Sequence, residues 1–245
     1  MKRKQKLVKL SILPFIILVV LAFILLCIFI YRYFIYTRPK WIIIQYDDRP
    51  IKEIYKPLIE RNKKYCKMHG YQHIFVKSGY TDIPPYWRKV QLTIDTLKNN
   101  PSCQGVMWLD TDAAFADYNK KIEDYTKSDK SMYISKQSNG PFNSGVWFVR
   151  NDAKGLEIMN SWMESYKQTV WTKNGSSWET TGSFGGPNYE QGAFFDLVYP
   201  RYTAKIEHYE WYILQSQTLS EEVFTVHFFG GQDAACKDFI DKHSV

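Results

Sequence analysis

Gly105-Val106-Met107-Trp108-Leu109-Asp110-Thr111-Asp112 decides the fold: a short apolar run closes on two carboxylates one residue apart. Such a run, bounded by turn formers, reads as a buried strand. Similar elements lie on its N-terminal side. Trp41-Ile42-Ile43-Ile44-Gln45-Tyr46 is a β-branched run ended by Asp47-Asp48-Arg49-Pro50, a strand and then a turn. Ile51, Ile54, Tyr55, Leu58 and Ile59 follow at helical spacing, with Gly70 as a natural stop. Tyr71 to Val76 is a second strand, and Arg88 to Lys98 a helix carrying Val90, Leu92, Ile94 and Leu97. Short strands alternating with helices predict an α/β fold whose parallel sheet is covered on both faces. On the C-terminal side, Gly145 to Arg150 reads as a strand, and Ala153 to Val170 and Tyr189 to Val198 as helices. Val223 to Phe228 reads as a late strand, and Asp233 to His243 as a closing helix. The glycine-rich stretch from Trp171 to Asn188 is expected to be a lid or binding loop, because so long a connection in a compact domain is usually functional.

The 245 residues are 45% hydrophobic and 17% aromatic, enough to bury a core and to exclude a disordered chain. Four cysteines exclude a disulfide scaffold. The net charge of +7 is uneven: residues 1–40 hold eight Lys/Arg and no acid, leaving 24 basic against 25 acidic residues in 41–245. That second part, at net −1, gives no support to nucleic-acid binding.

The basic end flanks Leu10 to Tyr31, 22 residues without a charge. About 20 such residues span the hydrocarbon layer, and the positive-inside bias keeps the N-terminus cytoplasmic. A cleaved signal peptide has a shorter apolar core and small residues at its cut site, whereas bulky Tyr31-Arg32-Tyr33-Phe34 follows here. The expectation is an uncleaved signal anchor: basic cytoplasmic tail 1–9, transmembrane segment 10–31, stem 32–40 and lumenal domain 41–245. Cys66, Cys103 and Cys236 then allow at most one disulfide, and Asn174-Gly175-Ser176 is a glycosylation sequon.

Asp110 and Asp112 close a strand, where ligands of α/β sheets bind. Residues two apart in an extended chain share a face, and two like charges there call for a cation or donors. Hard divalent ions take carboxylate oxygens and keep positions open for phosphates, which points to a Mg²⁺ or Mn²⁺ site holding a diphosphate. The plain alternative is a solvated Asx turn.

Tyr86-Trp87-Arg88-Lys89 and Gly105 to Ala113 together resemble nucleotide-sugar-dependent glycosyltransferases of the GT-A type, and most of all glycosyltransferase family 34, the Golgi galactosyl-, mannosyl- and xylosyltransferases. Asn62 to Cys66 with His69-Gly70-Tyr71, Phe142 to Asn151, Tyr189-Glu190-Gln191 and Val226 to Gly230 match further family motifs in the same order, over roughly residues 41–235. The resemblance implies a Rossmann-like, mixed, mostly parallel sheet with helices on both faces, following the N-terminal transmembrane helix. It implies a retaining, metal-dependent transferase that moves a hexose or pentose from a UDP- or GDP-sugar to a glycan acceptor, in the Golgi or another secretory membrane. Asp110, Asp112 and His227 would be metal ligands, a set that suits Mn²⁺ better than Mg²⁺. Lys89 and Asp110 would sit at the nucleotide, Asn143, Ser144 and Gly145 along the donor sugar and acceptor side, and Glu190 and Gln191 beside the transferred sugar as catalytic residues.

Three positions depart from the pattern: Tyr189 replaces an acidic residue, and Gly231 and Gln232 stand where a Cys and a Lys are frequent, with Lys237 a candidate substitute. Trp171, Trp178 and Phe184 either stack on acceptor sugars or pack their loop, while Trp108, Trp147 and Trp162 fall within periodic elements and read as core. Two other functions compete. A haloacid-dehalogenase-type phosphohydrolase also carries Asp-x-Asp, but after its first strand. A membrane-anchored carbohydrate-binding protein would keep the fold without turnover.

Overall fold

A computed structural model describes residues 13–36, 40–137 and 140–243. The chain divides into two compact units, Met1–Arg38 and Pro39–Val245. The basic tail 1–9 and residues 37–39 of the stem lie outside the described residues.

In the first unit, helix α1 (Leu13–Tyr36) exposes its large apolar side chains from Phe15 to Ile30. Among the described residues no helix is long and apolar enough to cross a membrane. Residues 10–12 of the expected span lie outside the described residues, and no spanning helix over 10–31 is shown.

The second unit begins with β1 (Trp41–Tyr46), α2 (Lys56–His69), β2 (Gln72–Val76), α3 (Pro85–Asn99), β3 (Gly105–Leu109) and β4 (Ala113–Phe115). It continues through β5 (Met132–Gln137), β6 (Gly140–Arg150), α4 (Ala153–Glu164), β7 (Trp171–Asn174) and β8 (Ser177–Thr180). Next come α5 (Glu190–Ala193), α6 (Tyr199–Tyr202), β9 (Ile206–Tyr209), α7 (Trp211–Leu214), β10 (Thr225–His227) and α8 (Asp233–His243). Helix α2 stops at Gly70, which takes the left-handed conformation at φ 70° and closes the last turn. Helix α3 starts at Pro85, whose missing N–H costs nothing there.

Six strands form one sheet in the order β2-β1-β3-β6-β5-β9. β1 runs parallel to β2 and β3, and β9 parallel to β5, but β6 is antiparallel to both its neighbours. The fully parallel reading is corrected here: β5 and β6 follow each other closely in the chain, and a short connection joins only antiparallel strands. The mixed, mostly parallel sheet is present.

Alternate residues of β1 and β3 serve opposite faces. Ile42, Ile44, Val106 and Trp108 pack with Val90, Ile94, Ile158 and Trp162 from α3 and α4. Ile43, Met107 and Leu109 pack with Tyr65, Cys66 and Phe115 on the other side. A third cluster joins Leu58 of α2 to Cys236 and Phe239 of α8. Cys66, Cys103 and Cys236 are divided among these three clusters, and all are free. No disulfide links them.

Other boundaries move. The helix expected over 153–170 ends at Glu164, and that over 189–198 is a single α-turn followed by a π-helical turn, Phe194–Val198. The expected loop 171–188 holds a hairpin in which Asn174 pairs with Ser177 across Gly175-Ser176. Gly175, at φ 61°, supplies the positive φ that such a two-residue turn requires. Asn174 is exposed, so the sequon is accessible.

Candidate functional site

At the end of β3 the chain turns sharply. The Asp110 N–H donates to the Gly145 carbonyl at 2.8 Å, and the Ala113 N–H returns to the Asp110 carbonyl at 3.0 Å. β4 leaves this turn paired with β10, His227 opposite Ala113, while the Phe228 N–H donates to the Asp112 carbonyl at 2.9 Å. A residue 115 positions further along is thereby brought to the two aspartates. His227 Nε2 lies 3.2 Å from Asp112 Oδ1 and 3.8 Å from Asp110 Oδ2.

Asp110, Asp112 and His227 each offer a ligand atom, all within 4.8 Å of one another. Gly145 makes room for them: a Cβ there would sit 2.0 Å from His227 Cε1, so only glycine lets β6 approach the ring. Two carboxylates and one imidazole fit a borderline divalent ion such as Mn²⁺. Burial opposes ionisation of Asp112, but the hydrogen bond and charge of His227 outweigh it and hold the carboxyl below its ordinary value.

Beside this trio, Lys89 is buried at 8% exposure. Its ammonium lies 3.3 Å from Asp110 Oδ1, 3.5 Å from Glu190 Oε1 and 3.2 Å from the Ser144 carbonyl. Burial disfavours that charge, yet Asp110 and Glu190 prevail and raise its pKa. Glu190 is 3% exposed and opens α5. Burial pushes its carboxyl up, against Lys89 and a Ser144 hydroxyl that donates to Oε1 at 2.7 Å. Its other oxygen, Oε2, is buried without a hydrogen-bond partner. Gln191 Oε1 accepts the Ser144 N–H at 3.0 Å, and Asn143 Oδ1 accepts the Gly145 N–H at 2.7 Å. All nine sequence-predicted site residues thus form one connected group.

Several supporting residues escape sequence reasoning. Gln215 accepts at Oε1 from His227 Nδ1 at 2.5 Å and donates from Nε2 to the carbonyls of Asn143 and Val146 at 3.3 and 3.0 Å. Gln45 donates to the Asp110 carbonyl at 3.2 Å, and Asn62 to the Ala113 carbonyl at 2.9 Å. Two tryptophans read only as core also act as donors: Trp108 Nε1 to Asp110 Oδ1 at 2.7 Å, and Trp162 Nε1 to the Glu190 carbonyl at 2.8 Å. Only the position of Trp108, two residues before Asp110 on one strand face, carries a local signal.

The loop aromatics divide. Trp171 is buried and donates to the Asn188 carbonyl at 3.2 Å, so it packs the loop. Trp178 is half-buried, with the Lys173 ammonium 5.5 Å from its ring. Phe184 is 57% exposed, its centroid 5.3 Å from Tyr86 and 5.0 Å from Tyr189, the neighbour of Glu190. Lys237 lies exposed on α8. Two cavities, of about 190 Å³ between α2 and α8 and about 450 Å³ beside Trp41 and Arg150, share no lining residue with the site. Converging polar groups, not cavity size, define it.

The Asp-x-Asp pair follows β3, not the first strand, which removes the phosphohydrolase reading.

Residues 42–132 match the galactosyl transferase GMA12/MNN10 family. Xyloglucan 6-xylosyltransferase 4 of Arabidopsis thaliana is 23% identical over 129 residues, covering 47% of this chain and 24% of the relative. Galactomannan galactosyltransferase 1 of Cyamopsis tetragonoloba is 25% identical over 114 residues, covering 43% and 26%. The chain thus spans about a quarter of the length of these curated relatives. The crystal structure of a glycosyltransferase involved in glycosylation of the major capsid of PBCV-1 superposes with a TM-score of 0.64 at 19% identity, covering 84% of this chain and all of that one.

Proposed function

We propose that this chain, family-34-like in sequence and of the GT-A glycosyltransferase fold, is a metal-dependent transferase that moves a hexose or pentose from a UDP- or GDP-sugar to a glycan hydroxyl with retention of configuration. The observation that carries the reading is the convergence of Asp110, Asp112 and His227 beside the buried Lys89–Glu190 pair.

Asp110, Asp112 and His227 would hold Mn²⁺. When bound, the ion supplies Lewis-acid neutralisation of charge on the departing diphosphate. Lys89 adds a fixed positive charge on the nucleotide side and orients Glu190. Ser144 and Lys89 engage Oε1 of Glu190, which leaves Oε2 for the positive charge that develops at the anomeric carbon. Asn143, Ser144 and Gly145 line the donor sugar, with Gln191 fixed on the Ser144 N–H. On the acceptor side, Phe184 offers an exposed ring whose face suits the C–H face of a sugar.

The test is nucleotide release from a panel of UDP- and GDP-sugars with Mn²⁺, with and without oligosaccharide acceptors. One donor should be consumed and its sugar recovered on an acceptor with the anomeric configuration unchanged. No release from any donor would overturn the transferase reading and leave the carbohydrate-binding alternative.

Segment 10–31 is the signal anchor in this reading, with 1–9 cytoplasmic and 41–245 lumenal in a Golgi or other secretory membrane. The 22 uncharged residues and the exposed apolar side chains of α1 support it. The full chain should resist carbonate extraction, with its C-terminus protected from protease in sealed vesicles; a digested C-terminus would reverse the topology.

A further inference from the structure

Gln215 follows α7 directly and is 1% exposed. The adjacent Ser216 accepts the His227 N–H at 2.8 Å, so backbone contacts already hold the two side chains together. The Gln215 amide has two N–H donors. The Asn143 carbonyl at 3.3 Å and the Val146 carbonyl at 3.0 Å take both. Rotating the amide by half a turn would set its oxygen against two carbonyl oxygens. Its orientation is therefore fixed, and Oε1 must face His227 Nδ1 as an acceptor at 2.5 Å. Nδ1 then carries a hydrogen, so Nε2, which faces Asp112 and Asp110, is the nitrogen whose lone pair a metal ion would take.

The two carbonyls also matter for position. They flank Ser144 and Gly145, and Gly145 is the residue whose missing side chain makes room for the imidazole.

We propose that Gln215 is a positioning residue: it sets the tautomer and seat of His227 as a metal ligand and ties that ligand to the strand carrying Asn143, Ser144 and Gly145. The inference rests on the metal-site reading above. Partners on the far nitrogen of a ligating histidine typically change metal affinity 10- to 100-fold.

The experiment measures Mn²⁺ affinity of the full chain directly, from the electron paramagnetic resonance signal of free Mn²⁺, with turnover recorded separately. Gln215→Leu removes acceptor and donors together; affinity should fall about 10- to 100-fold, and excess Mn²⁺ should bring turnover back toward the unmutated value. Gln215→Glu keeps an acceptor for Nδ1–H but loses both donors, and should bind Mn²⁺ more tightly than Gln215→Leu. Equal loss in the two variants would mean that Gln215 only bridges the carbonyls, and would overturn the positioning role. Unchanged affinity in Gln215→Leu would overturn it too, with the metal reading intact. An unmutated chain that binds no Mn²⁺ would overturn both. On the unmutated chain loaded with diamagnetic Mg²⁺, long-range ¹H–¹⁵N correlation should find the His227 proton on Nδ1. A proton on Nε2 would overturn the inference without recourse to any variant.

Discussion

Asp112→Asn should lower nucleotide-sugar turnover by about a hundredfold or more while the protein stays folded. The substitution keeps the size and shape of the side chain and removes one negative charge from a set of three ligands. A metal's stabilisation of transition-state charge amounts to several kcal/mol, and each 1.36 kcal/mol is a factor of ten in rate. The fold does not depend on the lost charge, because the Phe228 N–H binds the Asp112 backbone carbonyl, which the variant retains. Thermal unfolding should stay close to that of the unmutated chain, and chelation should silence the unmutated enzyme until Mn²⁺ is restored. Full turnover in excess EDTA would make the Asp-x-Asp pair a structural turn.

Glu190→Gln should reduce turnover about a hundredfold while donor KM changes little. From sequence alone the rival explanation is a favourable charge at a helix N-terminus, worth a few tenths to about 1 kcal/mol. The structure replaces that rival with a stronger one. Helix α5 is only four residues long, and Glu190 is instead half of a buried ion pair with Lys89. Removing one partner of such a pair costs up to about 3–5 kcal/mol. Here Lys89 keeps Asp110 and the Ser144 carbonyl, so the loss should fall toward the low end. A stability effect alone would lower the melting temperature and leave turnover per folded molecule intact. An effect on the transition state appears in kcat, with binding nearly unchanged. Normal kcat in a folded Glu190→Gln protein would remove this carboxylate from the chemistry.

The elements that sequence reading located well are those whose signal is local. β1 and β3 are short apolar runs between turn formers, α2 stops at a glycine that takes the left-handed conformation, and α8 begins and ends where its pattern does. β4, β5 and β9 escaped: β4 has three residues, and the Lys, Ser and Glu of the other two blur any alternation. Strand direction escaped as well, because the antiparallel β3–β6 pairing is settled by how the chain returns. The nine candidate site residues could be named because family motifs marked them in order. Gln215 and Gln45 were not, since a buried amide is recognised only by the carbonyls and side chains that surround it, and Asn62, although inside a matched motif, gave no sign of its role.

Gly145 bears on how such a chain can diversify. Its bare Cα backs the His227 ring, its carbonyl receives the Asp110 N–H, and its neighbour Ser144 holds Glu190. Drift at this strand is therefore confined, because any side chain at position 145 would displace the imidazole. The segment from Gly182 to Asn188 is freer. It reaches the centre through the Asn188 carbonyl, which anchors Trp87 and Trp171, and through the close approach of Gly185 and Gly186 to Gly192. Exchange at the exposed Phe184 should leave these anchors in place, so that change is tolerated on one rim of an otherwise frozen centre.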